Sequence, residues 1–301
     1  MTVATEGILT TSTPATATSG RRPLTLGTLL RRHPRLLVGG GLVALLLFVA
    51  IFAPLLTRFD PTLGDVSDAL LPPGAAHWLG TDDQGRDVMA RVLYGARISL
   101  SVAVISVSIG LFTGVTIGVV AGYIGGATDL LLMRVIDALL AFPALLLAIS
   151  ISATLGPQIQ NAMIAIGIVA IPVYARLTRA QVLSLREREF ITAAHAVGTG
   201  PVRIIVRHLL PNLANALIVQ ATLTTAFAIL QEAVLSFLGL GAQPPTPSWG
   251  TDISYNQRYI TNLMWWGSVG PGVSIFLAVF AFNFLGDALR DWLDPQLRRR
   301  A

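Results

Sequence analysis

Long apolar runs without a charged side chain alternate with short charged segments along the chain. The runs are Leu36 to Thr57, Ile98 to Thr128, Ala138 to Ala175, Leu209 to Gln231 and Tyr259 to Gly286. Each reaches the roughly 20 residues with which a helix crosses a bilayer. The pattern predicts an all-α membrane protein of six transmembrane helices, near 36–56, 98–122, 129–154, 158–179, 213–238 and 268–289. The third and fourth share one run, and Gly156-Pro157 supplies the turn between them. Phe142-Pro143 and Ile171-Pro172 are expected to kink these two spans.

Six crossings place both termini on one side, and Arg decides which. Arg58, Arg86, Arg91, Arg97 and Arg258 fall on one face. The larger share falls on the other: the N-terminal segment, the 123–134 turn, the 176–212 segment and the C-terminus. Basic residues concentrate in cytoplasmic loops, so both termini are expected to be cytoplasmic. The loops at about 58–97 and 240–267 then face outward, and the loop at about 180–212 faces inward. Residues 1–34 begin with a Thr-, Ala- and Ser-rich stretch that buries too little apolar surface to order itself. They read as a disordered cytoplasmic segment, and 35–301 as the transmembrane domain. The start is not read as a signal peptide, because no basic stretch leads directly into a short apolar run and cleavage site.

Composition narrows the chemistry. Hydrophobic residues make up 53% and charged residues 12% of the chain, with a mean hydropathy of +0.68. Soluble domains carry about 25% charged residues, so a soluble or disordered protein is excluded. There is no Cys, hence no disulfide, thiolate metal site or cysteine nucleophile. There is no Lys either, so a G-x-x-x-x-G-K-[ST] phosphate loop is impossible here. Energy from ATP would have to reach this chain from another. The net charge of +5 does not point to nucleic acid, because the Arg residues gather at membrane boundaries.

The most informative polar segment is 186–211, REREFITAAHAVGTGPVRIIVRHLLP. Arg186 to Val197 has helical character, with small Ala193, Ala194 and Ala196. Gly198 suits the position just past a helix end, where positive φ favours glycine. Gly200-Pro201 restarts a helix over about 201–210. Val202, Ile205, Val206 and Leu209 form its expected apolar face, Arg203 and Arg207 lie on another, and Pro211 is expected to close it. Taken alone, this is also the pattern of a helix resting on lipid headgroups.

The same residues resemble the loop shared by membrane subunits of binding-protein-dependent ABC importers: Glu-Ala-Ala, three residues, Gly, nine residues, Ile-x-Leu-Pro. Ala193, Ala194, Gly198, Leu210 and Pro211 match, while Thr192 stands at the Glu and His208 at the Ile. No role of that Glu is therefore carried over. Further segments resemble the second of the paired permeases of dipeptide, oligopeptide and nickel importers: 78–100, 129–147, 232–250 and 265–295. Together they cover about residues 35–295. The resemblance implies a type I importer-like permease bundle in the plasma membrane that moves peptides by alternating access. It implies a second homologous permease, two ATPase subunits that bind ATP and Mg²⁺, and an extracytoplasmic binding protein, with no cofactor in this chain and no nucleic-acid partner. It also implies that Ala193, Ala194, Gly198, Arg203, Arg207, His208, Leu210 and Pro211 form the ATPase-coupling element. Nickel or glutathione are alternative cargoes, and an ion-gradient-driven transporter or a membrane enzyme are alternative classes. The enzyme class lacks G-x-S-x-G, H-E-x-x-H and Cys.

Other features carry a structural and a functional reading each. Gly110, Gly114, Gly118 and Gly122 recur every four residues and offer a smooth stripe for helix packing. Asp137 has Arg134 three residues before it as an expected ion-pair partner. Glu232 has no local partner; it either lines a substrate path, where it could meet a peptide amino group, or is a hydrogen-bonded packing residue. Asp82, Asp83 and Asp87 lack calcium-loop spacing and read as loop or capping residues, and the four His show no metal-ligand spacing.

Overall fold

The computed structural model describes residues 34–293. The expected disordered segment therefore lies, but for Pro34, outside the described residues, as do Arg298, Arg299 and Arg300. The described helices are α1 (Pro34–Leu56), α2 (Val88–Ile124), α3 (Gly126–Leu140), α4 (Ala144–Leu155), α5 (Ile159–Arg186), α6 (Glu189–Ala196), α7 (Pro201–Ile204), α8 (Leu210–Phe237), α9 (Trp249–Asn256) and α10 (Trp266–Leu293). A π turn, Ile205–Leu209, joins α7 to α8. Five helices are long and apolar enough to cross a membrane, six if the bent pair α3 and α4 is counted as one broken span. The two described ends of the chain meet where Arg35 reaches Asp291 at 3.2 Å. We call this the termini end of the bundle.

Three sequence expectations change in the structure. The second crossing does not begin at residue 98 but at Val88, so ten residues expected in an outward loop are helix. Asp87 caps it by accepting from the Ala90 N–H at 2.7 Å. Arg97 ends the charge-free run and hid these turns; Arg91, within them, is neutralised by a partner far along the chain (below). At 1.5 Å per residue α2 is about 55 Å long, well beyond the roughly 30 Å hydrocarbon core. The third crossing is not one kinked helix but two, bent by 89° at the break before Pro143. Proline supplies no N–H there and opposes continuation of the preceding helix. Pro172, by contrast, lies within the uninterrupted α5.

The core is built on α2 against α5. An ideal Cβ on Gly114 would sit 2.6 Å from the Ile171 carbonyl, and one on Gly118 2.5 Å from the Ala175 carbonyl. Gly110 meets Ala170 and Gly122 meets Val182 in the same way. The glycine stripe thus lets two backbones touch within this chain. Between lipid-solvated helices such close van der Waals contact replaces the missing hydrophobic drive.

At the opposite end, side chains knit the long connections down onto α2. Arg91 donates from Nε and Nη2 to Asp252 Oδ1 at 2.8 and 2.5 Å, and from Nη1 to the carbonyls of Pro61 and Pro245 at 2.8 and 3.3 Å. Asp82 receives Arg86 Nε at 2.6 Å. All four charged groups are almost fully buried. Burial pushes the Asp252 carboxyl up to about 6, even though the Arg91 charge opposes this. Trp249 Nε1 donates to the Val92 carbonyl at 2.9 Å, over a notch left by Gly95.

Candidate functional site

The segment after α5 forms a hook at the termini end. Its α6 ends in a two-bond glycine cap. The Gly198 N–H bonds the His195 carbonyl at 2.9 Å, and the Thr199 N–H bonds the Ala194 carbonyl at 3.0 Å. Gly198 has φ of +77°, and nothing lies within 4 Å of where its Cβ would stand. Within this chain, glycine is thus required for backbone conformation alone.

The hook is anchored from below. Ile191, Ala194, Ile204 and Leu209 are buried against Val119 of α2, Val182 of α5 and Leu213 of α8. Arg186 ties the end of α5 to the carbonyls of Gly122 and Tyr123 at 3.4 Å each. The face turned away is apolar as well: Val197 is 80% exposed, Val202 71%, Val206 58% and Phe190 42%. Arg203 and Arg207 are exposed beside them and have no ion-pair partner among the described residues. Ala193 is exposed and His208 half-buried, its ring 6.4 Å from that of Phe190.

Two expectations for this segment are corrected. Pro211 does not close the second helix. It sits in the first turn of α8, where its missing N–H costs nothing. The preceding π turn absorbs the proline: the Leu210 N–H bonds the Ile205 carbonyl, and Asn212 Nδ2 takes the His208 carbonyl at 2.6 Å. Of the expected apolar face, Leu209 is buried and Ile205 half-buried, but Val202 and Val206 are not, and Ile204 takes their place. In the π turn residues five apart align, so Ile204 and Leu209 point inward while Val202 and Val206 point out.

Glu232 has no exposed surface and so does not line a cavity in this structure. It accepts from the hydroxyls of Ser99 at 2.7 Å, Ser236 at 2.8 Å and Ser248 at 2.9 Å. That joins α2, α8 and the start of α9, the packing role among its two readings. Asp137 does not pair with Arg134. It accepts from Arg176 of α5 at 2.6 Å. The chain-distant partners Asp252, Ser99 and Ser248 were not singled out from sequence, and no local spacing signals them.

The comparisons with known proteins agree with this geometry. A model of the binding-protein-dependent transport system inner membrane component matches residues 114–299. The chain belongs to that family. A second model, the N-terminal transmembrane domain of oligopeptide transport permease C, matches residues 29–73. The chain is 48% identical over 269 residues to the dipeptide transport system permease protein DppC of Alkalihalophilus pseudofirmus, covering 89% of this chain and 88% of the relative. It is 46% identical over 276 residues to the protein of the same name from Escherichia coli, covering 89% and 91%. Among solved structures, an inward-facing MetNI methionine ABC transporter matches with a TM-score of 0.54 at 20% identity, covering 67% of this chain and 97% of that one. That likeness carries the type I importer fold. The protein is a multi-pass membrane permease of an ABC importer, which sets aside the ion-driven and membrane-enzyme readings.

Proposed function

We infer that this permease carries peptides across the plasma membrane as one of two related subunits. Two ATPase subunits, with ATP and Mg²⁺ bound in them, drive the cycle, and an extracytoplasmic binding protein delivers cargo. Both termini and the hook face the cytoplasm, in line with the Arg distribution. The relatives' names support peptide over nickel or glutathione as cargo.

The observation that carries the coupling role is the two-faced hook. Its lower face is locked onto α2, α5 and α8, and its upper face offers exposed Val197, Val202 and Val206 beside Arg203 and Arg207, which have no ion-pair partner among the described residues. Solvent-exposed apolar patches rimmed by polar groups mark protein or membrane contacts, and the family's shared loop pattern favours a protein here. Ala193, Ala194, Gly198, Arg203, Arg207, His208, Leu210 and Pro211 belong to this element. When ATP draws two ATPase subunits together, the two permeases' hooks follow, and the preference between inward- and outward-open states reverses.

Purification of the chain from native membranes in mild detergent tests the assembly. A second permease, two ATPases with lysine-containing nucleotide loops and a binding protein are expected beside it, with ATPase activity. Recovery of the chain alone, without ATPase activity, overturns the coupling role. Screening the binding protein with dipeptides, nickel and glutathione decides the cargo.

A further inference from the structure

A cavity of about 400 Å³ opens between α2, α4, α5, α8 and α10. No lining residue is charged. Its polar groups come chiefly from one face of α8, Gln220, Thr224 and Gln231, with Asn283 of α10 opposite. These α8 positions follow helical spacing, so they form one stripe. Gln220 Nε2 donates to Thr224 at 3.1 Å. Gln231 is only 5% exposed, and its Oε1 finds no donor among the described residues. A buried carboxamide oxygen left without a donor is costly, and a bound group would relieve it.

A second observation says which side of the molecule this is. Leu140 and Val173 line the cavity, and each stands three residues from a member of the Asp137–Arg176 pair. That pair is about half exposed, with 46% and 55% of the side chains accessible. Charges at membrane depth face water or protein rather than acyl chains. The groove between α2 and α8 is the opposite case, lined by Leu111, Phe112, Val115, Leu217 and Ile218, with Thr116 its polar exception. One face of the chain thus suits lipid or packed protein, and the other suits a wet path.

We propose that this cavity is a station for the main chain of a peptide in transit, held by the side-chain amides of Gln220, Gln231 and Asn283. The inference rests on peptides being the cargo. Carboxamides both donate and accept, as peptide groups do, so they match any sequence equally and favour no side chain. The lining has no carboxylate, imidazole or thiolate, the ligands a nickel-like cation would favour.

The absence of Cys makes the test direct. Single cysteines at Gln220 and Asn283, and at Phe112 and Ile218 as controls, are placed in the reconstituted complex and treated with a charged, membrane-impermeant methanethiosulfonate. Faster labelling at 220 and 283 than at 112 and 218, slowed by dipeptide during turnover, is expected. Equal or reversed rates, or no protection, overturn the station. Separately, Gln231→Leu is expected to lower dipeptide imported per ATP hydrolysed roughly tenfold, the loss of one hydrogen bond to a buried group. An unchanged ratio overturns the role of Gln231; if the variant does not assemble, the labelling decides. A wild-type complex that shows no peptide-dependent uptake refutes peptides as cargo. A complex that imports peptide but fails the labelling test refutes only the station.

Discussion

Gly198 separates what the chain needs for itself from what a partner demands. Its φ of +77° costs an L-residue roughly 1–2 kcal/mol. That corresponds to about a 5- to 30-fold fall in the population of the capped hook. No clash adds to this, since the Cβ position is empty to 4 Å. Asn and Asp tolerate positive φ better than Ala. Backbone conformation alone therefore ranks uptake as Gly, then Asn and Asp, then Ala. Close docking by an ATPase reverses the order, because Ala adds one carbon where Asn and Asp add a branched polar group. ATP-driven dipeptide uptake is measured in proteoliposomes at matched protein levels. We expect Ala to retain measurable uptake, and Asn and Asp to abolish it. Full uptake by Gly198→Asp would refute the coupling role. Full uptake by Asn with loss in Ala would reduce Gly198 to a cap.

Three further outcomes follow from the packing. Gly114→Ala and Gly118→Ala push a methyl against backbone carbonyls, so each should destabilise the solubilised complex by about 1–3 kcal/mol; an unchanged melting temperature would refute the α2–α5 contact. Glu232→Leu strips the acceptor from three buried hydroxyls and should cost at least about 1–3 kcal/mol, while Glu232→Gln should melt and transport nearly as wild type; a Gln variant that melts normally but loses uptake would return Glu232 to the substrate path. Because the Asp252 carboxyl is raised to about 6 in the fold, the folded state holds its proton more tightly than the unfolded state does. Stability from this group then declines as pH rises from the ordinary carboxylate range through 6. Asp252→Asn should remove that decline, and a wild-type melting temperature that instead gains on the variant as pH rises would contradict it.

The crossings were legible because hydrocarbon imposes a length that charge-free runs disclose, as at Leu36 to Thr57. The cap at Gly198 was legible because its bonds span only five residues. Contacts between distant elements were not. Nothing near Arg91 announces Asp252, and nothing near Glu232 announces Ser99. Arg97 cut the apolar run short and, with Arg91 within them, hid the first turns of α2. The π turn escaped notice because periodicity read at 3.6 residues cannot register one surplus residue. The break at Ala141–Pro143 was legible as a bend, but neither its 89° nor the Asp137–Arg176 pair beside it has a local signal.

That surplus residue has a mechanical consequence. A loop between hook and α8 would take up a push as slack. Here backbone hydrogen bonding runs from Pro201 to Phe237 without a loop, so a push passes on as torque. Each residue of an α-helix turns about 100°. Were the widened turn to travel along α8, every side chain it passed would swing by about that angle about the axis. Gln220, eleven positions beyond Leu209, would turn its amide away from the cavity. A displacement of the hook would then arrive in the membrane as a change in which side chains meet the cargo.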